Sequence, residues 1–381
     1  MNASDVFAFA DAFGPAKIIH VYEPSVGLKA ILVVDNVARG PAIGGLRMAS
    51  DVSVEECFRL ARAMTFKNAA AGLPHGGAKS VIFGDPKMPG PEKEKLIRAF
   101  ASSLRNERDY IFAPDMGTDE DCMAWVKDEI GRAAGLPRDL GGIPLDEIGA
   151  TGWGIYQATE IAARYSNLKL DGARVVIQGF GAVGQHSARF LTQAGAILVG
   201  ASDSQGAVHN PRGLDVSALM ALKKTGKSVS DHTDGEKLNR EAVIDMECDI
   251  WIPAARPDVI NAANVSHLKT RLIVEGANIP VTPEAEIFLH GRDVLCVPDF
   301  IANAGGVICA AMEYRGATQS TAFSSIEEKV RSNTEQVLET VKKTTILPRE
   351  AALELAENRV KKAMSYRRWS LFSSADEFVH K

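Results

Sequence analysis

Three polar residues lie among unusually small neighbours. Lys67 is in Phe66-Lys67-Asn68-Ala69, Lys79 ends Gly76-Gly77-Ala78-Lys79, and Asp115 is in Ala113-Pro114-Asp115-Met116-Gly117-Thr118. Most lysines are solvated surface charges. A glycine-flanked lysine beside apolar strands is a candidate for a buried amine of lowered pKa. A second lysine nearby would depress it further, and a carboxylate would oppose the depression. Amine and carboxylate together could carry acid/base chemistry.

A second constellation is Gly179-Phe180-Gly181-Ala182-Val183-Gly184, which is GxGxxG. It follows an apolar strand-like run and opens a helix-like one, as a dinucleotide cradle requires. Gly179 permits the tight turn, Gly181 lets backbone approach a pyrophosphate, and Gly184 lets helix pack on strand. Ala182 and Val183 then offer amide groups at a helix N-terminus. Asp203 lies 19 residues beyond Gly184, after a second strand-like run, where an acid can bind an adenosine ribose hydroxyl. Asp203 favours NAD by repelling a 2′-phosphate, while Ser204 beside it leaves NADP possible.

The elements that must position these residues follow from pattern. Residues 17–37 read as two strands, and Val54 to Ala71 as a helix followed by Gly72. The breaker-rich stretch LPHGGAKSVIFGDP ends in a short strand, and a helix opens at Pro91. From about residue 145 strands and helices alternate, which predicts a parallel doubly wound sheet. Ser324 to Glu327 fits a capping box, with Ile326, Val330, Val337 and Val341 on one helical face. Pro348 breaks that pattern, and a last helix runs from about Arg349 to Met364. The expected fold is α/β with two domains. Residues 1–145 form an α/β substrate, catalytic and oligomerisation domain, and 146–330 a Rossmann-like dinucleotide domain. The helices of 331–381 return to the first.

Composition narrows the function classes. The chain has 381 residues, with 43 basic and 48 acidic side chains and a net charge of −5, so bulk positive charge for nucleic acid is absent. No apolar run reaches membrane-spanning length, and the opening MNASDVFAF lacks secretory character. Five scattered cysteines without a CxxC pair indicate neither disulfides nor a metal site. A reducing, cytoplasmic location is expected.

The sequence resembles the amino-acid dehydrogenases that include glutamate, leucine, phenylalanine and valine dehydrogenases. The resemblance runs from about residue 17 to 330. It rests on PAIGGLRM (41–48), MTFKNAAAGLPHGGAKSVI (64–82), APDMGT (113–118), GATGWG (149–154), VVIQGFGAVG (175–184), EGANIP (275–280) and PDFIANAGGV (298–307). It implies that Lys67 holds the substrate α-carboxylate, that Lys79 is the catalytic lysine, and that Asp115 moves protons during imine chemistry. It further implies that Thr151 contacts the nicotinamide amide, and that Asn278 and Asn303 line the nicotinamide and substrate side. Gly44 and Gly45 fall in the PAIGGLRM wall. The reaction implied is NAD(P)-dependent oxidative deamination of an L-2-amino acid, in a cleft between the domains, without a metal. A homo-oligomer is implied, a hexamer rather than an octamer.

One departure bears on specificity. Glutamate enzymes of the family carry a lysine where this chain has Ile43, and a serine where it has Ala310. Burying a γ-carboxylate against these two would cost several kcal/mol, whereas an apolar side chain would gain about 1.5–3 kcal/mol. The expected substrate is therefore a leucine-, valine- or phenylalanine-type amino acid. Glutamate is the alternative, since EGANIP and PDFIANAGGV look more like the glutamate branch. Arg47 or His75 could supply a charge. The residues bear on two further readings. A non-catalytic ligand-sensing paralogue is disfavoured because Lys67, Lys79 and Asp115 are all intact. A hydroxy-acid dehydrogenase would want a His–carboxylate relay, and among the histidines only His75 lies near the Lys67, Lys79 and Asp115 motifs.

Overall fold

The computed structural model describes residues 7–366. They divide into two compact units. The first comprises 7–144, 309–322 and 355–366. The second comprises Leu145–Ile308 and Phe323–Glu354.

The first unit is built on a five-stranded mixed sheet in the order β1-β2-β4-β3-β5. Its strands are β1 (Lys17–Glu23), β2 (Leu28–Asn36), β3 (Ala42–Ala49), β4 (Gly76–Phe83) and β5 (Tyr110–Pro114). The β1/β2 and β2/β4 pairs are antiparallel, and β4/β3 and β3/β5 are parallel. Three helices cover it: α1 (Val54–Ala70), α2 (Gly90–Ser103) and α3 (Glu120–Ile130). Strand β2 shows why both faces need cover. Leu32 and Val34 join the core made with Ile97, Phe100 and Met123. Ile31 and Val33, one residue out of phase, pack with Cys57 and Ala61 of α1. A strand buried on both faces reads as a continuous apolar run.

The breaker-rich segment forms more strand than expected. Strand β4 starts at Gly76, because these glycines serve close packing rather than a turn. A Cβ on Gly77 would sit 2.0 Å from the Thr65 backbone nitrogen, so only glycine lets α1 lie this close to β4. Strands β3 and β5 and helix α3 were not anticipated. The Gly44-Gly45 pair in β3 disguises the strand pattern.

The second unit carries a seven-stranded sheet in the order β12-β11-β10-β6-β7-β8-β9. Helices α4 (Leu145–Ile148) and α5 (Ala150–Tyr165) lead into β6 (Arg174–Gln178), α6 (Ala182–Gln193), β7 (Ile197–Ser202) and β8 (Ala207–His209). Then come α7 (Val216–Lys224), β9 (Glu236–Leu238), β10 (Ile250–Pro253), β11 (Leu272–Val274), α8 (Pro283–His290) and β12 (Leu295–Val297). The five strands from β12 to β7 are parallel, as predicted, but β8 and β9 extend the edge antiparallel. The strand order reverses between β6 and β10, which is where open α/β sheets bind ligands.

Four helices complete the described chain: α9 (Asp299–Ala302), α10 (Gly305–Tyr314), α11 (Gln319–Thr344) and α12 (Pro348–Tyr366). Helix α11 starts five residues before the expected Ser324. Thr318 Oγ1 accepts from the Thr321 amide at 3.3 Å and caps it there instead. The tail is also divided differently from the expected boundary at 331. Residues 323–354 belong to the second unit, where Arg331 pairs with Glu160 at 2.6 Å. From 355 onward it belongs to the first unit, where Arg359 donates to the Ala70 carbonyl at 2.7 Å. The remainder, 367–381, lies outside the described residues.

Candidate active site

In the first unit, parallel pairing brings the motif residues into register. Ile43 stands opposite Gly77 of β4 and Ile111 of β5. Asp115 follows β5 directly, at the strand's carboxyl end. Lys79 is 5% exposed, and its Nζ lies 2.7 Å from Asp115 Oδ2. Arg47 Nε donates to the same oxygen at 2.8 Å, and its Nη1 reaches Glu56. Burial pushes the Lys79 amine below its ordinary value. The Asp115 charge opposes that shift, and the Arg47 guanidinium adds to it. For Asp115, burial works upward, but the charges and hydrogen bonds of Lys79 and Arg47 outweigh it and hold the carboxyl below the usual range.

Glycines make room for this pair. A Cβ on Gly45 would come 2.8 Å from Asp115 Cβ and 3.1 Å from Lys79 Nζ, and one on Gly44 would strike the Ala78 carbonyl at 1.8 Å. Lys67 is half-buried in the last turn of α1, the helix packed on β4. Its neighbour Asn68 fixes that turn by donating to the Gly76 carbonyl at 2.7 Å. Ile43 and Ala310 are 5% and 9% exposed, so both are apolar and largely buried. His75 packs edge-on to Tyr314, and its Nδ1 lies 3.0 Å from the Pro41 carbonyl. Both contacts tie the ring to its neighbours in the first unit.

Two residues here were not assigned from the sequence. Arg47 was noted there only as an unplaced charge. Glu313, one turn beyond Ala310 on α10, is buried. It accepts from the backbone nitrogens of Gly135, Leu136 and Ile143 at 2.7, 3.0 and 2.8 Å. Its only sequence signal was a lone acid after an apolar run.

In the second unit, the motif after β6 forms the expected cradle. Gly179 adopts φ +94°, a conformation suited to glycine. A Cβ on Gly184 would meet the Gly179 carbonyl at 2.0 Å, while Gly181 faces open space. Helix α6 begins at Ala182 and Val183 with no side-chain cap, leaving its first amides for an anion. A cleft of about 890 Å³ adjoins the motif, lined in part by Gly179, Gly181, Asp203 and Ala254. Thr151 lies in the first turn of α5, which approaches α6 closely because a Cβ on Gly152 would clash with His186 and Ser187. Asn303 Nδ2 donates to Asn278 Oδ1 at 3.0 Å, and Asn303 Oδ1 is buried without a partner among the described residues. An open cradle and an orphaned acceptor both suit a nicotinamide dinucleotide.

The loop carrying Asn278 is held from below. Ile279 sits at φ +42°, and its amide donates to Asp299 Oδ2 at 2.9 Å. Asp299 Oδ1 in turn accepts from Arg349 Nη1 at 2.8 Å, and Glu275 Oε2 accepts from Arg349 Nη2 at 2.7 Å. Glu286 completes the cluster through Arg349 Nε.

A dinucleotide cradle on a doubly wound sheet, together with a buried lysine paired to a half-buried aspartate, defines an oxidoreductase that uses a nicotinamide cofactor. The family model for the Glu/Leu/Phe/Val dehydrogenase dimerisation domain matches residues 15–132, and that for the Glutamate/Leucine/Phenylalanine/Valine dehydrogenase matches 141–368. The chain belongs to this family. It is an amino-acid dehydrogenase, acting on the CH–NH2 group of its donor with NAD or NADP. It is 36% identical over 359 residues to the glutamate dehydrogenase of Aeropyrum pernix, covering 88% of this chain and 85% of that one. It is 36% identical over 307 residues to the NADP-specific glutamate dehydrogenase of Saccharolobus shibatae, covering 77% and 72%. Among solved structures it is similar to the hetero-hexameric glutamate dehydrogenase of Thermus thermophilus in its leucine-bound form. There the TM-score is 0.80 and the identity 30%, over 94% of this chain and 91% of that one.

Proposed function

We propose that the chain catalyses reversible oxidative deamination of L-glutamate to 2-oxoglutarate and ammonia. The single observation that carries the chemistry is the contact of buried Lys79 with half-buried Asp115. The choice of glutamate rests on the relatives, which bear that name at 36% identity. It replaces the apolar substrate expected from the sequence as the leading reading.

Lys67 holds the α-carboxylate and fixes the α-carbon. A nicotinamide held in the second unit would supply the hydride acceptor, and the substrate would then carry an iminium at its α-carbon. Lys79, in its amine form, takes a proton from the water that adds to that carbon. Asp115 relays that proton from Lys79 to the nitrogen as the carbon–nitrogen bond breaks, and ammonia departs. Lys79, an amine again, takes the hydroxyl proton as the oxo group forms and passes it to solvent. Thr151, Asn278 and Asn303 orient the nicotinamide, and Gly179, Gly181, Ala182, Val183 and Gly184 hold the pyrophosphate. Such acid/base groups contribute about 10²–10⁴-fold, and fixed positioning supplies much of the rest. The assembly is a homo-oligomer, a hexamer on this reading. That is supported by the dimerisation-domain match and the hexameric relative.

A second reading has a specific observation behind it. Ile43 and Ala310 are apolar and buried, which favours an aliphatic or aromatic side chain. The deciding experiment follows reduced cofactor at 340 nm with L-glutamate, leucine, valine and phenylalanine, using NAD⁺ and NADP⁺ separately. Turnover of glutamate supports the first reading. Turnover of the apolar amino acids without glutamate supports the second. Silence on all four overturns both.

A further inference from the structure

The acid at the end of β7 was expected to select NAD. Such a residue works by two means: free carboxylate oxygens accept from the ribose hydroxyls, and its charge repels a 2′-phosphate. Asp203 is equipped for neither. Its Oδ1 already accepts from the amides of Gln205 and Gly206 at 2.9 and 3.2 Å and from Ser228 Oγ at 2.8 Å. Its Oδ2 accepts from Lys223 Nζ at 2.7 Å and the Val229 amide at 2.9 Å. Five donors fill the roughly four lone-pair sites that a carboxylate offers. Its charge is balanced at contact distance by Lys223, from the last turn of α7.

The same cleft wall carries Ser204 and Lys224, and also Arg240, which is paired with Glu241. We infer that Lys223 is the specificity-determining residue at the adenosine end, and that it lets the cleft accept a 2′-phosphate as well as a free ribose. This rests on the assignment of the cleft to NAD(P).

The chemistry is an exchange of partners. A lysine ammonium is a compact charge on a flexible stem with three donors. Turned toward a 2′-phosphate, it leaves Asp203 with four other hydrogen bonds, so the turn at 203–206 keeps its shape. The Asp203 charge, no longer balanced by Lys223, then offsets part of the gain. The outcome is acceptance of both cofactors rather than strong preference for NADP. With a free ribose, Lys223 stays on Asp203, and the hydroxyls use the remaining wall.

The test uses binding, not turnover, so it is independent of the amino-acid substrate. Affinities of the full-length protein for 5′-AMP and 2′,5′-ADP are measured by calorimetry, then repeated with Lys223→Ala and Lys223→Arg. The wild type is expected to bind the two nucleotides within about tenfold of each other. Lys223→Ala should weaken 2′,5′-ADP at least tenfold relative to 5′-AMP, and Lys223→Arg should restore most of that ratio. Wild-type preference for 5′-AMP beyond a hundredfold overturns the inference. So does an unchanged ratio in Lys223→Ala, including equal weakening of both nucleotides, which marks a purely structural lysine. Failure of the wild type to bind either nucleotide overturns the cofactor assignment of the cleft itself.

Discussion

Lys79 Nζ lies 2.7 Å from Asp115 Oδ2, and that one oxygen also receives Arg47 Nε. The amine is therefore tuned from opposite sides. Burial and Arg47 lower its pKa, and Asp115 raises it. If deamination needs the amine form, activity rises with pH as Lys79 loses its proton. Removing Asp115 takes away the raising influence, so Asp115→Asn should shift the rising limb of kcat/KM to lower pH. Arg47→Gln should shift it to higher pH. Both variants should lose rate, Asp115→Asn by about 10²–10⁴-fold. Shifts of the same sign in both would show that Lys79 is not the group being titrated.

Glycines at two neighbouring strands should fail in different ways. A Cβ at Gly45 would stand 2.8 Å from Asp115 Cβ, which moves only with its backbone, and 3.1 Å from Lys79 Nζ and the Pro114 carbonyl. Gly45→Ala should therefore displace the Lys79–Asp115 pair and lose most of its kcat, with stability lowered by no more than about 1–3 kcal/mol of overpacking. A Cβ at Gly77 meets the Thr65 backbone at 2.0 Å, a deeper clash with atoms outside the pair. Gly77→Ala should lose at least about 1–3 kcal/mol, the usual cost of overpacking. Thermal melting beside steady-state rates separates the two.

The glycines also explain what was legible in the sequence. Apolar, β-branched runs such as β2 and β6 were readable from composition. Strand β3 was not, since Gly44 and Gly45 are shaped by Ala78 and Asp115, partners far along the chain. The cradle at 179–184 was readable because its function lies in local backbone. The occupancy of Asp203 was not, because its donors Lys223, Ser228 and Val229 come from 20 or more residues away. Lys79 could be suspected from its glycines and named only through the family motif.

The Arg349 cluster should make stability pH-dependent. It sets one guanidinium against three carboxylates, and Glu275 Oε1 is buried with no partner among the described residues. Burial pushes Glu275 up to about 8; Arg349 opposes this, and Asp299 and Glu286 add to it. A raised acid holds its proton more tightly in the fold than in the unfolded chain. Its contribution is full below the ordinary value of 4.5 and is lost as pH rises through about 8. The melting temperature should therefore fall across that window, with the apparent midpoint belonging to the cluster as a whole. Glu275→Gln should flatten the slope, and a slope that persists in this variant would assign it elsewhere. Arg349→Met leaves three acids without their cation and should cost about 3–5 kcal/mol.

Substrate choice can be pressed at Ile43. It is buried on β3, and the glutamate enzymes that the sequence resembles carry a lysine there. A lysine at this point would offer an ammonium to a γ-carboxylate. Hydrogen bonds to charged groups are worth about 1.5–3 kcal/mol, or roughly ten- to a hundredfold. Ile43→Lys should therefore raise the ratio of kcat/KM for glutamate over leucine by about that factor. It should also lower the melting temperature, because the ammonium enters an apolar wall without a partner until substrate binds. Saturating glutamate should recover part of that loss, by mass action on the folded state. If the ratio stays fixed while the protein remains folded, residue 43 does not face the side chain of the substrate. The apolar reading built on Ile43 would then fall with it.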